Sequence, residues 1–273
     1  MPETRVHRLL VAYQGGAFQG WQRQGQLPTV QFELERVAEK IWGAPVSVQG
    51  SGRTDTGVHA LGQVASFVAE ARIPDPFRLR MAFNDHLPPE VRVMDNDLGP
   101  DEFHARFSST GKEYQYRIIN REVMGPHEAG RAWHVPRLLD LATMRDCLPC
   151  LIGRHDFSSF ASNPGYERTT MVRNMADARL WERDGDIRVK FQADGFLYRM
   201  VRNLMGALVK VGLGKATPSD FRAMLAARNR ASAANTAPPG GLYLVRVLYP
   251  DELAPSFSVP SAEPFTPSPP PCP

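Results

Sequence analysis

One carboxylate stands out for its setting. Asp55 lies in Gly50-Ser51-Gly52-Arg53-Thr54-Asp55-Thr56-Gly57-Val58-His59-Ala60, between two threonine hydroxyls and two residues after Arg53. The three glycines allow positive φ and a tight turn. Residues 46–49 lead in and 62–67 lead out, both strand-like. Asp55 is therefore expected on a loop where a rigid scaffold presents one side chain. Three readings fit the stretch. Asp and Thr between glycines are ordinary turn residues, and the carboxylate can serve the turn itself. A Gly-x-Gly start also suggests a phosphate cradle, but that fingerprint requires a helix directly after the glycines and an acid about twenty residues on. Residues 58–67 read as turn and strand, and no Gly-Lys-Ser/Thr follows. The third reading is catalytic: a carboxylate beside an arginine, able to act as nucleophile or base if the chain supplies partners.

Two partners are candidates. Arg202, in Met200-Val201-Arg202-Asn203, is flanked by core positions of an expected helix. A guanidinium there either pairs with a carboxylate or snorkels to water. Tyr114 shares a strand face with Tyr116 and Ile118 by the two-residue period. It is either a core aromatic with a satisfied hydroxyl or a group facing the site. No second carboxylate lies near Asp55, so a two-carboxylate glycosidase is not indicated. Cys147-Leu148-Pro149-Cys150 has metal or redox spacing, yet no second pair exists. Nor does it sit in a thioredoxin-like context, and it reads as two incidental thiols in a reducing compartment.

The elements that must position these groups follow from periodicity. Residues 6–13 form an apolar strand. Residues 18–24 (Phe-Gln-Gly-Trp-Gln-Arg-Gln) cluster aromatics and amides, suited either to stacking on bases or to a buried hairpin. A helix is expected over 30–42, with Val30, Leu34, Val37 and Ile41 on one face. The loop of Asp55 and its flanking strands come next, then a helix over 74–87 and a strand at 91–93. Strand, helix, strand, strand, helix, strand is the ferredoxin-like order, also used by single-strand RNA-binding domains. The second half repeats it: strand 113–120, helix 138–151 broken near Pro149, strand 171–181, an Asp184-Gly185 turn, the strictly alternating strand 187–193, helices 198–211 and 217–227, and strand 241–249. Boundaries are placed at 1–102, 103–250 and 251–273. Eight of the last 23 residues are proline, and this tail is expected to be disordered and unpacked.

Composition narrows the partners. The chain has 273 residues and a formal net charge of +3, room for one large domain or two smaller ones. No apolar run reaches the roughly 18 residues of a membrane span, and Met1-Pro2-Glu3-Thr4-Arg5 is no signal peptide. A cytoplasmic protein is expected. Lysines are only Lys40, Lys112, Lys190, Lys210 and Lys215; the other basic side chains among the 32 are arginines, whose forks suit phosphates and bases. His59, His104 and His155 show no ligand spacing and read as structural or RNA-contacting.

Residues 50–59 closely resemble the catalytic motif of the tRNA pseudouridine synthase A family. So do Phe18-x-Gly-Trp-Gln-Arg-Gln24, Thr29-Val-Gln31, Phe103-His-Ala-Arg-Phe107, Tyr114-x-Tyr116, His155-Asp-Phe157, Met200-Val-Arg-Asn203 and Gly241-Leu-Tyr-Leu244, in family order. The resemblance covers about residues 5 to 250, with Ser51 and Thr56 where many members have alanine. It implies an α+β fold of two ferredoxin-like halves in one continuous, mostly antiparallel sheet, with helices on one side and a cleft between the halves. It implies a homodimer that isomerises uridine to pseudouridine at positions 38, 39 and 40 of the tRNA anticodon stem-loop, without metal or organic cofactor. By position, Asp55 is then the nucleophile or base, Arg53 lies near the target nucleotide, Tyr114 stacks on the target base, and Arg202 pairs with the aspartate. A non-catalytic RNA-binding protein or chaperone of the same fold is the alternative; it would have no use for Asp55.

Overall fold

The computed structural model describes residues 3–73, 75–163, 165, 170–232 and 235–257. Within them the first half runs β1 (Thr4–Tyr13), α1 (Val30–Trp42), β2 (Gln49–Gly50), β3 (His59–Glu70), α2 (Pro76–Asn84) and β4 (Val91–Gly99). The second runs β5 (Gly111–Ile119), β6 (Trp133–His134), α3 (Leu141–Cys147), β7 (Gly153–Asp156), β8 (Val172–Arg183), β9 (Asp186–Ala193), α4 (Met200–Gly212), α5 (Pro218–Ala227) and β10 (Leu242–Leu248). All strands join one 10-stranded sheet of order β4-β1-β3-β10-β5-β9-β8-β7, with β2 on β3 and β6 on β5.

The order repeats. In the first half the strands lie β4-β1-β3-β2; in the second, β10-β5-β9-β8. Each set is antiparallel throughout, as a split βαβ unit requires. The two sets meet along one edge of β3. β2 occupies that edge at Ala65 and Ser66, and β10 occupies it in parallel at His59 and Ala60. The seam therefore sits where β3 leaves the Asp55 loop.

Local sequence explains the helices. α1 starts at Thr29, whose hydroxyl accepts from Phe32 N–H, and ends at Gly43 with φ +70°. Asp75 accepts from Phe77 N–H and Pro76 takes the first turn of α2. Thr217 and Asp220 form a reciprocal capping box on α5. The alternation of β9 divides the sheet. Ile187, Val189, Phe191 and Ala193 are buried, whereas Arg188 and Lys190 join a charged layer with Glu113, Asp177, Asp186 and Arg246.

Three expectations need correction. Residues 46–49 are barely a strand, because α1 satisfies their backbone: Glu35 Oε1 accepts from Val48 N–H, and Gln31 Nε2 donates to Val48 O. The helix expected over 138–151 stops at Cys147 and tightens into a 3₁₀ turn over Leu148–Leu151 around Pro149. The tail does not leave the core at residue 251. Arg8 and Asp97 form a buried bidentate pair, 2.7 Å on each arm. Arg8 Nη1 also donates to Leu253 O at 2.9 Å, and Ser256 donates to Asp97 Oδ2 through its N–H at 2.7 Å and its hydroxyl at 2.8 Å. Leu253 and Phe257 pack on the core beside them. A buried ion pair must have its remaining donors and acceptors met, and this segment meets them. The rest of the expected tail lies outside the described residues.

The correction is testable. Stopping the chain after Pro250 should cost about 1–3 kcal/mol, since it strips partners from a buried charge pair. That lowers the melting temperature by roughly 2–10 °C for a domain of this size. A chain stopped after Phe257 should melt above one stopped after Pro250. Equal melting temperatures for the two would show that the segment contributes nothing.

Candidate active site

The Asp55 loop is held from beneath by uncharged groups. Ser51 N–H donates to Val64 O at 2.8 Å, and its hydroxyl donates to Gln63 Oε1 at 2.6 Å. Gln63 Nε2 returns a bond to Gly52 O at 2.8 Å. Tyr13 and Thr54 share a buried hydroxyl–hydroxyl bond of 2.8 Å, and Trp21 N–H donates to Thr54 O. Gly20, at φ +85°, lets that strand of chain approach: a Cβ there would lie 2.6 Å from Thr54 O. The expected aromatic cluster belongs to this support. Phe18 and Trp21 are core residues and do not present their faces to a ligand.

What the loop exposes is the Asp55 carboxylate. Its side chain keeps 22% of its accessibility, while Arg202 keeps 11%. Arg202 Nη1 donates to Asp55 Oδ2 at 3.0 Å. Arg202 is fixed from behind, because its Nε donates to Ala237 O at 2.8 Å and its own carbonyl accepts from Ala237 N–H. A second guanidinium, Arg199, reaches the same Oδ2 at 3.9 Å and is 41% exposed. Oδ1 takes no hydrogen bond among the described residues. One carboxylate thus faces two cations, one built in and one open to the cleft.

The helix that brings both arginines is anchored. Asn203, fully buried, donates to Phe160 O at 2.7 Å and accepts from Thr236 Oγ1 at 2.6 Å. The segment around His155 serves this anchor: Phe157 and Phe160 are core residues. Arg199 takes φ +59°, in the left-handed region. A non-glycine residue held there beside the Asp55 carboxylate is the sort of local strain that functional sites retain.

Tyr114 is buried on β5 and meets Phe196 edge to face at 4.9 Å. Burial pushes its phenol well above the usual tyrosine range, and the neighbouring Tyr13 and Asp55 push the same way. It therefore stays protonated across the working pH range and offers a ring face and an O–H, not a phenolate. Arg53 does not touch Asp55. It is exposed, and its Nε donates to Gln22 Oε1 at 3.0 Å. So the structure brings together Asp55, Arg202 and Tyr114, and leaves Arg53 on the outer rim.

Sequence reading missed Arg199 and Phe196. Arg199 was findable as a second arginine three residues before Arg202, although it caps α4 in the left-handed region and does not share its helical face. Phe196 carried no such signal, because its loop position depends on the tertiary fold. His59 is structural, accepting from Gly15 N–H at 3.2 Å and bonding Gly130 O at 2.9 Å, with Tyr243 stacked on it. Burial pulls its pKa down. A cavity of about 480 Å³ opens next to it, lined also by Gln14, Glu90, His127 and Arg131; none of Asp55, Tyr114 and Arg202 lines it. Cys147 and Cys150 donate to carbonyls at 3.3 and 3.1 Å. Burial pushes the Cys147 thiol up to about 11, so both are inert. No group of three or more potential metal ligands lies together among the described residues, and no helix among them is long and apolar enough to cross a membrane.

Comparison with known proteins bears on the same segments. A family model described as tRNA pseudouridine synthase matches residues 9–108 and 150–250. A Methylacidiphilum infernorum protein named tRNA pseudouridine synthase A is 47% identical over 246 residues, covering 90% of this chain and 96% of its own length. Proteins of the same name from Rhodospirillum rubrum and Bradyrhizobium diazoefficiens are 41% and 42% identical. They match 91% and 89% of this chain and 89% and 99% of their own lengths.

Proposed function

The chain belongs to the tRNA pseudouridine synthase A family, and we propose that it isomerises uridine to pseudouridine at positions 38, 39 and 40 of the tRNA anticodon stem-loop. The observation that carries the reading is the Asp55–Arg202 pair at the seam of the two sheet halves. We assign residues 1–102 and 103–250 to those halves. The family resemblance also suggests a cytoplasmic homodimer.

The reaction breaks the N1–C1′ bond of the target uridine, turns the uracil, joins C5 to C1′, and moves the C5 proton off that carbon while N1 takes up a proton. Asp55 begins it, either by attack on the sugar or by removal of a sugar proton; both start from the ionised carboxylate. Arg202 aims Oδ2 through its hydrogen bond, which leaves Oδ1 for the sugar. Tyr114 supplies a face on which the detached uracil stays while it turns. Its protonated hydroxyl is placed to donate, so a relay of the C5 proton would pass through a phenol that is never a standing base. Arg53 on the rim meets the extruded nucleotide or its phosphate. Extrusion is cheaper at a helix–loop junction than within a duplex, which suits these tRNA positions.

Release of tritium from C5-labelled uridine in tRNA tests the reading, because the isomer has the mass of its parent. Label should leave in proportion to pseudouridine formed. Turnover should persist after dialysis in excess EDTA, as the donor set at Asp55 holds no metal ligands beyond one carboxylate. Tight tRNA binding without any tritium release would establish the non-catalytic RNA-binding alternative. Loss of turnover in EDTA that added metal restores, with the tRNA still folded, would show that a metal takes part.

A further inference from the structure

Phe107 is the most exposed aromatic side chain described, at 76%. A single exposed ring is ordinary on a protein surface and means something only with a second observation. Its surroundings supply one. The His104 ring packs at 4.4 Å and tilted by 38°, and the Arg106 guanidinium lies 5.5 Å from the ring centre. The turn is stiff: His104 Nδ1 accepts from the N–H groups of both Arg106 and Phe107, at 3.1 and 3.3 Å, and Ser108 Oγ accepts from His104 N–H. The root of the turn is fixed to the sheet, where Ser66 Oγ accepts from Ala105 N–H and Tyr249 O–H donates to Ala105 O.

The turn is tied to the catalytic loop. Ser109 Oγ donates to Arg106 O at 2.8 Å, and Lys112 Nζ reaches Ser109 Oγ at 3.5 Å. Lys112 lies under Gly52, where a Cβ would come within 3.1 Å of its Cε. Gly52 precedes Arg53, and Asp55 follows three residues after Gly52. Burial pulls Lys112 down to about 8, and the Arg106 charge adds to this, so two basic groups share one small region. Arg106, Lys112 and Arg53 thus border the loop with no carboxylate paired to any of them among the described residues.

We propose that His104, Arg106 and Phe107 form a base-stacking platform beside the catalytic loop, which holds an unpaired nucleotide of the RNA next to the one being modified. This rests on the proposed action on tRNA and adds a second binding point to it. A ring with a guanidinium and an imidazole around it is the mixed aromatic and basic surface that single-stranded RNA uses. An apolar protein partner would gain little from the cations. The stiff turn lowers the ordering needed on contact.

The experiment compares wild type, Phe107→Ala, Phe107→Trp and Arg106→Ala by filter binding to unmodified tRNA over a salt series, with sedimentation of each free protein and the tritium-release kinetics of each. Phe107 is too exposed for its loss to threaten folding. Phe107→Ala should weaken binding by about 5- to 150-fold, with the salt dependence kept, and KM should rise by a similar factor. Phe107→Trp should restore affinity. Arg106→Ala should weaken binding and lower the salt slope by about 1. Affinity of Phe107→Ala within about twofold of wild type would overturn the platform. So would a Phe107→Trp protein as weak as the alanine variant, since any π-face should serve. If Phe107→Ala binds normally but loses an oligomer seen in the wild type, the patch is a contact between copies and the proposal falls. Tritium release by the wild type answers separately whether the protein is a synthase.

Discussion

Asp55→Asn is expected to abolish pseudouridine formation while leaving the protein folded and able to bind tRNA. The structure separates the two roles that an aspartate in a glycine loop can play. The loop is shaped by Ser51, Gln63, Thr54, Tyr13 and Trp21, through bonds in which the Asp55 side chain takes no part. The carboxylate points instead to Arg202 and Arg199. Asn keeps an oxygen for the Arg202 fork and the shape of the residue, but a neutral amide is neither a useful nucleophile nor a base. Turnover should fall by ~10⁴-fold or more, the scale on which loss of such a group leaves only positioning. Affinity for tRNA should hold or tighten, because one negative charge near a polyanion is gone. The paired measurement is tritium release and filter binding on freshly prepared protein, checked for deamidation back to Asp. Retained turnover refutes the catalytic role. Lost binding together with lost turnover would return Asp55 to the turn reading.

That separation was only half legible in the sequence. The spacing of glycines around Asp55 announced a loop, and the period of residues 187–193 announced a half-buried strand, because both signals are local. The order of elements was enough for two ferredoxin-like halves, since the chain visits them in succession. The seam was not readable. Pairing of Tyr243 with His59 joins residues far apart in sequence, and nothing in either strand names its neighbour. Phe18 and Trp21 show the same limit: stacking residue and core aromatic have one composition, and only packing under the loop decides between them. Residues 46–49 failed for another reason. Their apolar alternation is real, but side chains of α1 reached their backbone before a neighbouring strand could. The tail failed because proline density describes residues 251–273 as a whole, whereas Leu253 and Ser256 are recruited one at a time by a buried ion pair on β1 and β4.

Arg202→Ala carries the second large effect, and it should act on both rate and stability. The side chain makes two bonds at right functional distance, Nη1 to Asp55 Oδ2 at 3.0 Å and Nε to Ala237 O at 2.8 Å. The first aims the carboxylate; the second fixes the arginine to the loop that passes beneath the seam. Alanine removes both and leaves Arg199, whose Nε stands 3.9 Å from the same oxygen and whose side chain is more exposed. Arg199 keeps a cation near the carboxylate but cannot aim it, so turnover should drop by about 10²- to 10³-fold and not to nothing. Breaking a fully buried pair costs about 3–5 kcal/mol. Asp55 retains contact with water, so about 1–3 kcal/mol is expected, or roughly 2–10 °C in melting temperature. Arg202→Lys should recover little, since one ammonium cannot serve two acceptors in a fixed fork. A double-mutant cycle gives the discriminating result. If Arg202 acts through the Asp55 charge, then adding Arg202→Ala to Asp55→Asn should cost less stability than adding it to the wild type, and should leave the residual rate unchanged. Additive stability losses would show that Arg202 does not act through the Asp55 charge, and an Arg202→Ala enzyme with wild-type turnover would show that the pair is a structural fastening of α4 and not the device that readies the carboxylate.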